Sequence, residues 1–519
     1  MTEGTAPARK NSRNRHTRAH VAGHEPPGIP GALSREQGRR IILPLALAQF
    51  IASYAATNMN VAISDIAKDL GTDVAGLQTA ITLFTLTMAS LMIPGSKLSD
   101  ILGRKRCFIG GLWVYGVGAL LAALASSLPV LTVGYSLLEG IGSALMIPPI
   151  YILVTVLFPD LAVRARYFGV ISGAGGLGAA AGPLIGGMVT TALSWRASFL
   201  LQVIVVATII WLARAVQDPA REGPVPRFDL AGAVLSGAGL FFTVLGLLLS
   251  RTYGWFTSRE DFTVGGKVLI PAGGVSPIWI SIGLGAVILL WFFLHLRSRE
   301  RHNKEPLLHL RLFRNRTANL GLGTQTIQWL VVQGSFFVVS VFLQQVRGLT
   351  AIQTGLVLTP ATIGILVSSA GAERFAQRHT QRWLVLMGFI ITVAGLALLL
   401  ALVREHSGLW TFVPGLLLTG LGVGVMLTSS VNIVQSSFPD ADQGDISGLS
   451  RSVSNLGSSL GTAVVGSVLV AASFPGGRPF AAAQTTLLVF SVVGVVLAVL
   501  LPRQAGKSGG PVPQADAPG

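Results

Sequence analysis

Long apolar runs separated by short polar connectors recur along the whole chain, and about twenty apolar residues are what an α-helix needs to cross a bilayer core. On that criterion the sequence predicts spans near residues 41–63, 76–98, 107–126, 130–152, 165–190 and 197–216. A pair follows near 230–250 and 276–296, and six more lie near 319–342, 353–372, 383–403, 409–434, 449–472 and 483–502. The total is about fourteen, divided six, two and six. Residues 1–40 are basic, contain proline and lack an apolar core, so they predict a disordered tail rather than a cleavable signal peptide. The expected organisation is that tail, a six-helix half over 41–216, a linker over 217–318 with two extra spans, a second six-helix half over 319–502, and a disordered tail over 503–519.

Composition agrees with the pattern. The chain is 51% hydrophobic and 12% charged, and a soluble protein carries roughly twice that charged fraction. The single Cys107 and eight scattered histidines exclude a disulfide framework and give no zinc-site spacing, so neither a metal nor a cofactor is expected. A net charge of +16 would suggest nucleic acid in a soluble protein. Here the cations flank spans, and no basic face with interleaved aromatics is present, so no nucleic-acid partner is expected.

The placement of the cations orients the chain. With both ends inside, about 29 Lys and Arg fall on inner segments and 8 on outer ones, with Arg451 inside a span. The expectation is a multi-pass protein of the plasma (inner) membrane with both termini cytoplasmic. Between Arg297 and Arg316, seven Lys and Arg alternate with Leu307, Leu308, Leu310, Leu312 and Phe313. A helix lying on the anionic leaflet and a plain charged connector both fit that pattern.

Several strings carry more information than hydropathy. Gly95–Arg106 reads G-S-K-L-S-D-I-L-G-R-K-R, a short loop held between two apolar stretches. Gly178, Gly182, Pro183, Gly186 and Gly187 form G-x-x-x-G-P-x-x-G-G, in which glycines allow close helix approach and the proline bends the span. Trp195-Arg196-x-x-Phe199, Asp229-x-x-Gly232, Phe342-Leu-Gln344-Gln345 before Gly355 and Pro360, and Gly444-x-x-x-Gly448 before Gly457 and Gly461 follow in order. Over nearly its whole length the chain resembles the fourteen-spanning drug:proton antiporter family of the major facilitator superfamily. The resemblance implies an all-α polytopic membrane protein with the major facilitator fold, two six-helix halves plus two inserted helices. It implies that Gly95, Asp100, Gly103, Arg104 and Lys105 form a gating motif, with Asp100 meeting a helix N-terminus and Arg104 pairing with an acid. It also implies that the span-5 string is the antiporter motif, associated with exporters.

The chain departs from the family where charge is usual. Ala55 stands in place of a span-1 aspartate, Ser136 in place of a span-4 arginine and Glu139 in place of a glutamine. The aspartate and arginine are tolerable as partners and costly alone, so their joint loss is coherent. Glu139 is then the one acid well inside a predicted span, roughly 13 Å from its outer end. It is expected to look into the cavity and to couple transport to protons; a permanently protonated, hydrogen-bonded carboxyl is the other reading. Asn58, Asn60, Ser136, Gln325, Gln328, Trp329 and Asn432 are candidate cavity residues, and interhelical hydrogen bonds would account for the same amides.

The expected activity is proton-coupled export of drug-like or secondary-metabolite molecules by alternating access. The protein would act as a monomer in the lipid bilayer, using a proton gradient and no enzyme chemistry. Import or uniport of another organic solute, such as a siderophore or sugar, remains the alternative.

Overall fold

The computed structural model describes residues 35–158, 161–216, 227–264, 267–438, 443–471 and 478–503. The expected tails at 1–40 and 503–519 therefore lie almost wholly outside the described residues. Its first helices are α1 Glu36–Val61, α2 Val74–Leu102, α3 Arg104–Ala123 and α4 Leu128–Val154. Then come α5 Leu161–Ala192, α6 Trp195–Ala215, α7 Leu230–Ser250 and α8 Pro277–Arg301. The remainder are α9 Arg316–Val346, α10 Ala351–Ser369, α11 Gln381–Leu402, α12 Leu409–Gln435, α13 Asp445–Ala471 and α14 Pro479–Leu500. Thirteen of these pass as straight spans, and α5, bent by 40° between Ala179 and Ala181, is the fourteenth. A small antiparallel ribbon, Phe262–Val264 with Lys267–Ile270, joins α7 to α8 and is the one sheet among the described residues.

Helix starts follow side-chain caps, each satisfying an amide that has no intrahelical acceptor. Asp73 accepts from the Gly76 amide, Ser194 from Ala197, Asp229 from Gly232, Asn315 from Ala318 and Thr380 from Trp383. These polar residues lie outside the apolar runs, so the helices outgrow the hydropathy windows. At 29 residues, α2 is about 44 Å long, well beyond a bilayer core of about 30 Å.

That length corrects the expected loop at Gly95–Arg106. Gly95 to Leu102 form the last turns of α2, and the connection shrinks to Gly103, whose φ of +100° suits a residue without a Cβ. Arg104 already opens α3.

α1–α6 pack among themselves, chiefly α3 on α4 and α6, and α2 on α4. α9–α14 do the same, with α12 between α10 and α11 and α9 against α13 and α14. The two sets meet along two seams, α2 with α13 and α5 with α10. The α7–α8 pair docks on the first seam, where α7 touches both α2 and α13 and Ser250 Oγ lies 2.5 Å from Ser467 Oγ. Large apolar side chains such as Val287, Leu290 and Trp291 stay exposed along α8, as a lipid-facing surface requires.

The basic stretch Arg297–Arg316 is not a helix lying on a leaflet. It comprises the end of α8, a turn, the 3-10 segment Leu310–Arg314 and the start of α9. Leu307, Leu308 and Leu312 are buried against Phe292, Leu296, Leu322 and Ile446, so their apolar surface faces protein. Asp229, the N-cap of α7, anchors this region, accepting from the Leu307 amide at 3.2 Å and lying 2.9 Å from His295 Nε2.

Candidate functional site

Between the two helix sets lies a cavity of about 60 Å³. α1 contributes Gln49, Ser53 and Thr57, α2 Met88 and Met92, α5 Ala179, α9 Trp329 and Gln333, and α13 Arg451 and Asn455. Apolar walls with a few fixed polar groups are the usual composition of a small-molecule site. A second hollow, lined by Val332, Phe336, Leu358 and Val423, is almost entirely apolar.

The α5 motif builds one wall. Pro183 has no amide proton, so the carbonyl of Ala179, four residues earlier, loses its helical partner. Thr57 Oγ1 of α1 donates to that carbonyl at 3.0 Å. The α1–α5 approach is tight enough that a methyl on Gly178 would overlap the Phe50 carbonyl, one on Gly182 the Thr57 hydroxyl, and one on Gly186 would press on Asn58. Gly187 faces the Ala351 carbonyl of α10, and Gly355 of α10 faces that of Pro183. The motif thus joins α5 to α1 on one side and to the second helix set on the other.

At that end of the bundle, several bonds cross between the sets. Gln344 Nε2 donates to the Asn60 carbonyl at 2.9 Å, the Ser64 amide donates to Gln344 Oε1 at 3.0 Å, and Gln345 Nε2 donates to Ser64 Oγ at 2.8 Å. At the other end, Lys97 Nζ pairs with Asp445 Oδ1 of α13 at 2.6 Å, and His309 Nδ1 lies 3.1 Å from the second carboxylate oxygen. Within the Gly95–Arg106 string it is Lys97 that makes the cross-set contact. Gly95 sits against the Ala144 carbonyl of α4 with no room for a Cβ, and Lys105 Nζ donates to the Arg214 carbonyl at 3.3 Å. Among the described residues no carboxylate lies within the 4.0 Å ion-pair distance of Arg104.

Glu139 is fully buried, but in the wall of the first helix set and not on the cavity. It ends a π-helical stretch, Thr132–Glu139. A π turn carries one extra residue, and one residue is worth about 100° of rotation, so α-helical spacing misjudges the face beyond it. Ser136, on the adjacent face, donates to the Ala80 carbonyl of α2 at 2.8 Å, and Gly140 packs on Thr87. Tyr115 of α3 and Tyr135 are the phenolic neighbours of Glu139. Tyr115 is the one phenol within reach of the Glu139 carboxyl, but its hydroxyl donates to Gln202 Oε1 at 2.5 Å, and neither carboxyl oxygen has a partner at hydrogen-bond geometry among the described residues. Beside the positions where the family has its charge pair, Tyr135 donates to the Ala55 carbonyl at 3.2 Å, a neutral bond.

Of the expected cavity residues, Trp329 lines the cavity. The others lie apart from its lining: Asn58 donates to Ser198 Oγ at 2.9 Å, Gln325 accepts from Ser450 at 2.8 Å and Gln328 from Ser430 at 2.9 Å. Asn60 is buried and Asn432 is exposed. Arg451 is the lining residue that sequence reasoning used only for topology. Its Nη2 bonds the Tyr151 hydroxyl, and its guanidinium lies 4.7 Å from the centre of that ring. The Tyr151 hydroxyl donates in turn to Gln49 Oε1 at 3.4 Å. The signal was available, since a cation inside an apolar span is costly and calls for an explanation.

A family model described as the Major Facilitator Superfamily matches residues 45–259, 230–462 and 322–518. The multidrug resistance protein Stp of Mycobacterium tuberculosis is 27% identical over 83% of this chain and 75% of its own length. The cephamycin export protein CmcT of Amycolatopsis lactamdurans is 29% identical over 88% of this chain and 91% of its own, and the multidrug transporter protein MdtP of Bacillus subtilis 26% over 84% and 77%. With fourteen apolar helices, two interlocked sets and a cavity between them, the chain belongs to the Major Facilitator Superfamily and is a multi-pass membrane transporter, not an enzyme.

Proposed function

We propose that this transporter exports amphipathic organic molecules in exchange for protons, working as a monomer in the plasma membrane with both termini cytoplasmic. The observation that carries the reading is the cavity shared by α1, α2, α4 and α5 of one helix set and α9 and α13 of the other. A site bounded by both sets changes its access whenever the sets rock, which is the geometry alternating access needs. The names of the relatives, which speak of multidrug resistance and antibiotic export, favour efflux over uptake.

In this mechanism the Gln344–Asn60 and α5–α10 contacts close one end, and Lys97–Asp445 fastens the other. Each set of contacts breaks in one half of the cycle. Glu139 is the proton carrier. An ionised carboxylate with no partner inside the protein costs several kcal/mol, so its charge state is tied to what surrounds it. Conversion of Thr132–Glu139 from π to α geometry would turn Glu139 and the helix beyond it by about 100° relative to the residues before the stretch. Coupling follows if that turn moves the carboxyl between the tyrosine wall and the cavity.

The test is uptake of a fluorescent drug into everted vesicles under an imposed proton gradient. Gradient-driven uptake that Glu139→Gln abolishes, at unchanged membrane abundance, is the expected result. Uptake that ignores the gradient would instead make the protein a uniporter.

A further inference from the structure

Arg451 lies in the second turn of α13 and lines the central cavity, and among the described residues no carboxylate accompanies it. Among the described residues no acid comes within the 4.0 Å ion-pair distance of its guanidinium, and none lines the cavity. One of its nitrogens is taken by the Tyr151 hydroxyl, and the ring beneath it supplies only a face. An arginine has five N–H donors in a planar fork that matches a carboxylate or sulfonate. Arg451 is half-buried, and a charge beside the low-dielectric protein interior attracts an anion more strongly than it would in bulk water.

The surroundings hold the guanidinium rather than neutralise it. Tyr151 is fixed by Gln49, whose Nε2 donates to Ser53 Oγ at 3.3 Å, and the Asn455 amide is bonded to the Arg451 carbonyl at 3.0 Å. Met88, Met92, Ile147 and Trp329 provide apolar walls on the same cavity. We propose that this cavity is an organic-anion site: it takes amphipathic molecules with an acidic group, which docks on Arg451, and an apolar body, which packs against Trp329 and the two methionines. The inference rests on the transport reading for its physiological meaning and on the cavity alone for binding.

Dansylglycine and dansylglycinamide share one fluorescent body and differ in a carboxylate against a neutral amide. Binding of each to the full chain in nanodiscs, corrected with empty nanodiscs, should give the acid a Kd at least tenfold below that of the amide. Arg451→Gln should bring that ratio close to one while amide binding persists, which also reports a folded cavity; Arg451→Lys should keep part of the preference. Equal affinities in the wild-type protein, no measurable binding of the acid, or a ratio unchanged by Arg451→Gln overturns the proposal. Uptake of the acid into everted vesicles is the separate arm. Discrimination in binding without gradient-driven uptake would leave the anion site standing and reject proton-driven export.

Discussion

Gly182→Ala tests how α5 is joined to α1. The added methyl would meet the Thr57 hydroxyl that serves the carbonyl released by Pro183. Overpacking of this kind costs about 1–3 kcal/mol. Displacing Thr57 leaves the part-buried Ala179 carbonyl unsatisfied, for another ~1–3 kcal/mol. Alanine regains about 1 kcal/mol over glycine in helix propensity. The net destabilisation is therefore about 3 kcal/mol, and at ~2 °C per kcal/mol the melting temperature should fall by about 6 °C.

Cys107 supplies the assay, because it is the one cysteine and is buried in α3, so a thiol-reactive maleimide dye reports unfolding. Thr57→Ala alone leaves the Ala179 carbonyl without its donor and should cost the same ~1–3 kcal/mol without the clash. In the double variant the clash has no partner, so the combined loss should be smaller than the sum by at least ~1 kcal/mol. An unchanged melting temperature in Gly182→Ala, or strict additivity, would refute this account of the motif.

Other residues give independent checks. Glu139→Gln should abolish gradient-driven uptake without lowering thermal stability, because the carboxyl makes no hydrogen bond that an amide would lose; a melting temperature several degrees lower would mean that the group is structural. Lys97→Glu faces Asp445 with a like charge and should cost about 2 kcal/mol and most transport. Adding Asp445→Lys should restore part of both, the remainder being withheld by His309, which would then adjoin a cation. On the short helix Ile63–Leu70, the Arg196 guanidinium and then Trp195 hold the Asp69 carboxyl below its ordinary value. Since the folded value is the lower one, the stability this pair contributes is complete above the unfolded carboxylate range and is lost as pH falls below about 4. Tryptophan-monitored melting should show that acid decline flattened in Asp69→Asn, and identical acid limbs in the two proteins would dismiss the pair.

Local features carried much of the architecture. Hydropathy summed over twenty residues places spans whatever their neighbours are, because a bilayer demands length and apolarity from each helix separately. Gly178–Gly187 was legible for a similar reason: glycine and proline act through their own backbone, so close approach and a bend follow from the residues themselves. Which face of a helix meets which partner is a property of packing and rotation, and there spacing was a poor guide. The π turn at Thr132–Glu139 adds a residue that no periodicity reveals, and it takes Glu139 from the cavity to the tyrosine wall. Gln325 and Gln328 read equally well as ligands or as interhelical donors until Ser450 and Ser430 were found beside them.

Sequence by itself determined that this chain crosses a membrane about fourteen times and where α5 must bend. Only the tertiary structure joined Lys97 to Asp445 across 348 residues and put Arg451 beside Tyr151 and Gln49 on a shared cavity. The physical reason is that burial and helix propensity act along the chain, whereas a binding site consists of distances between helices far apart in it.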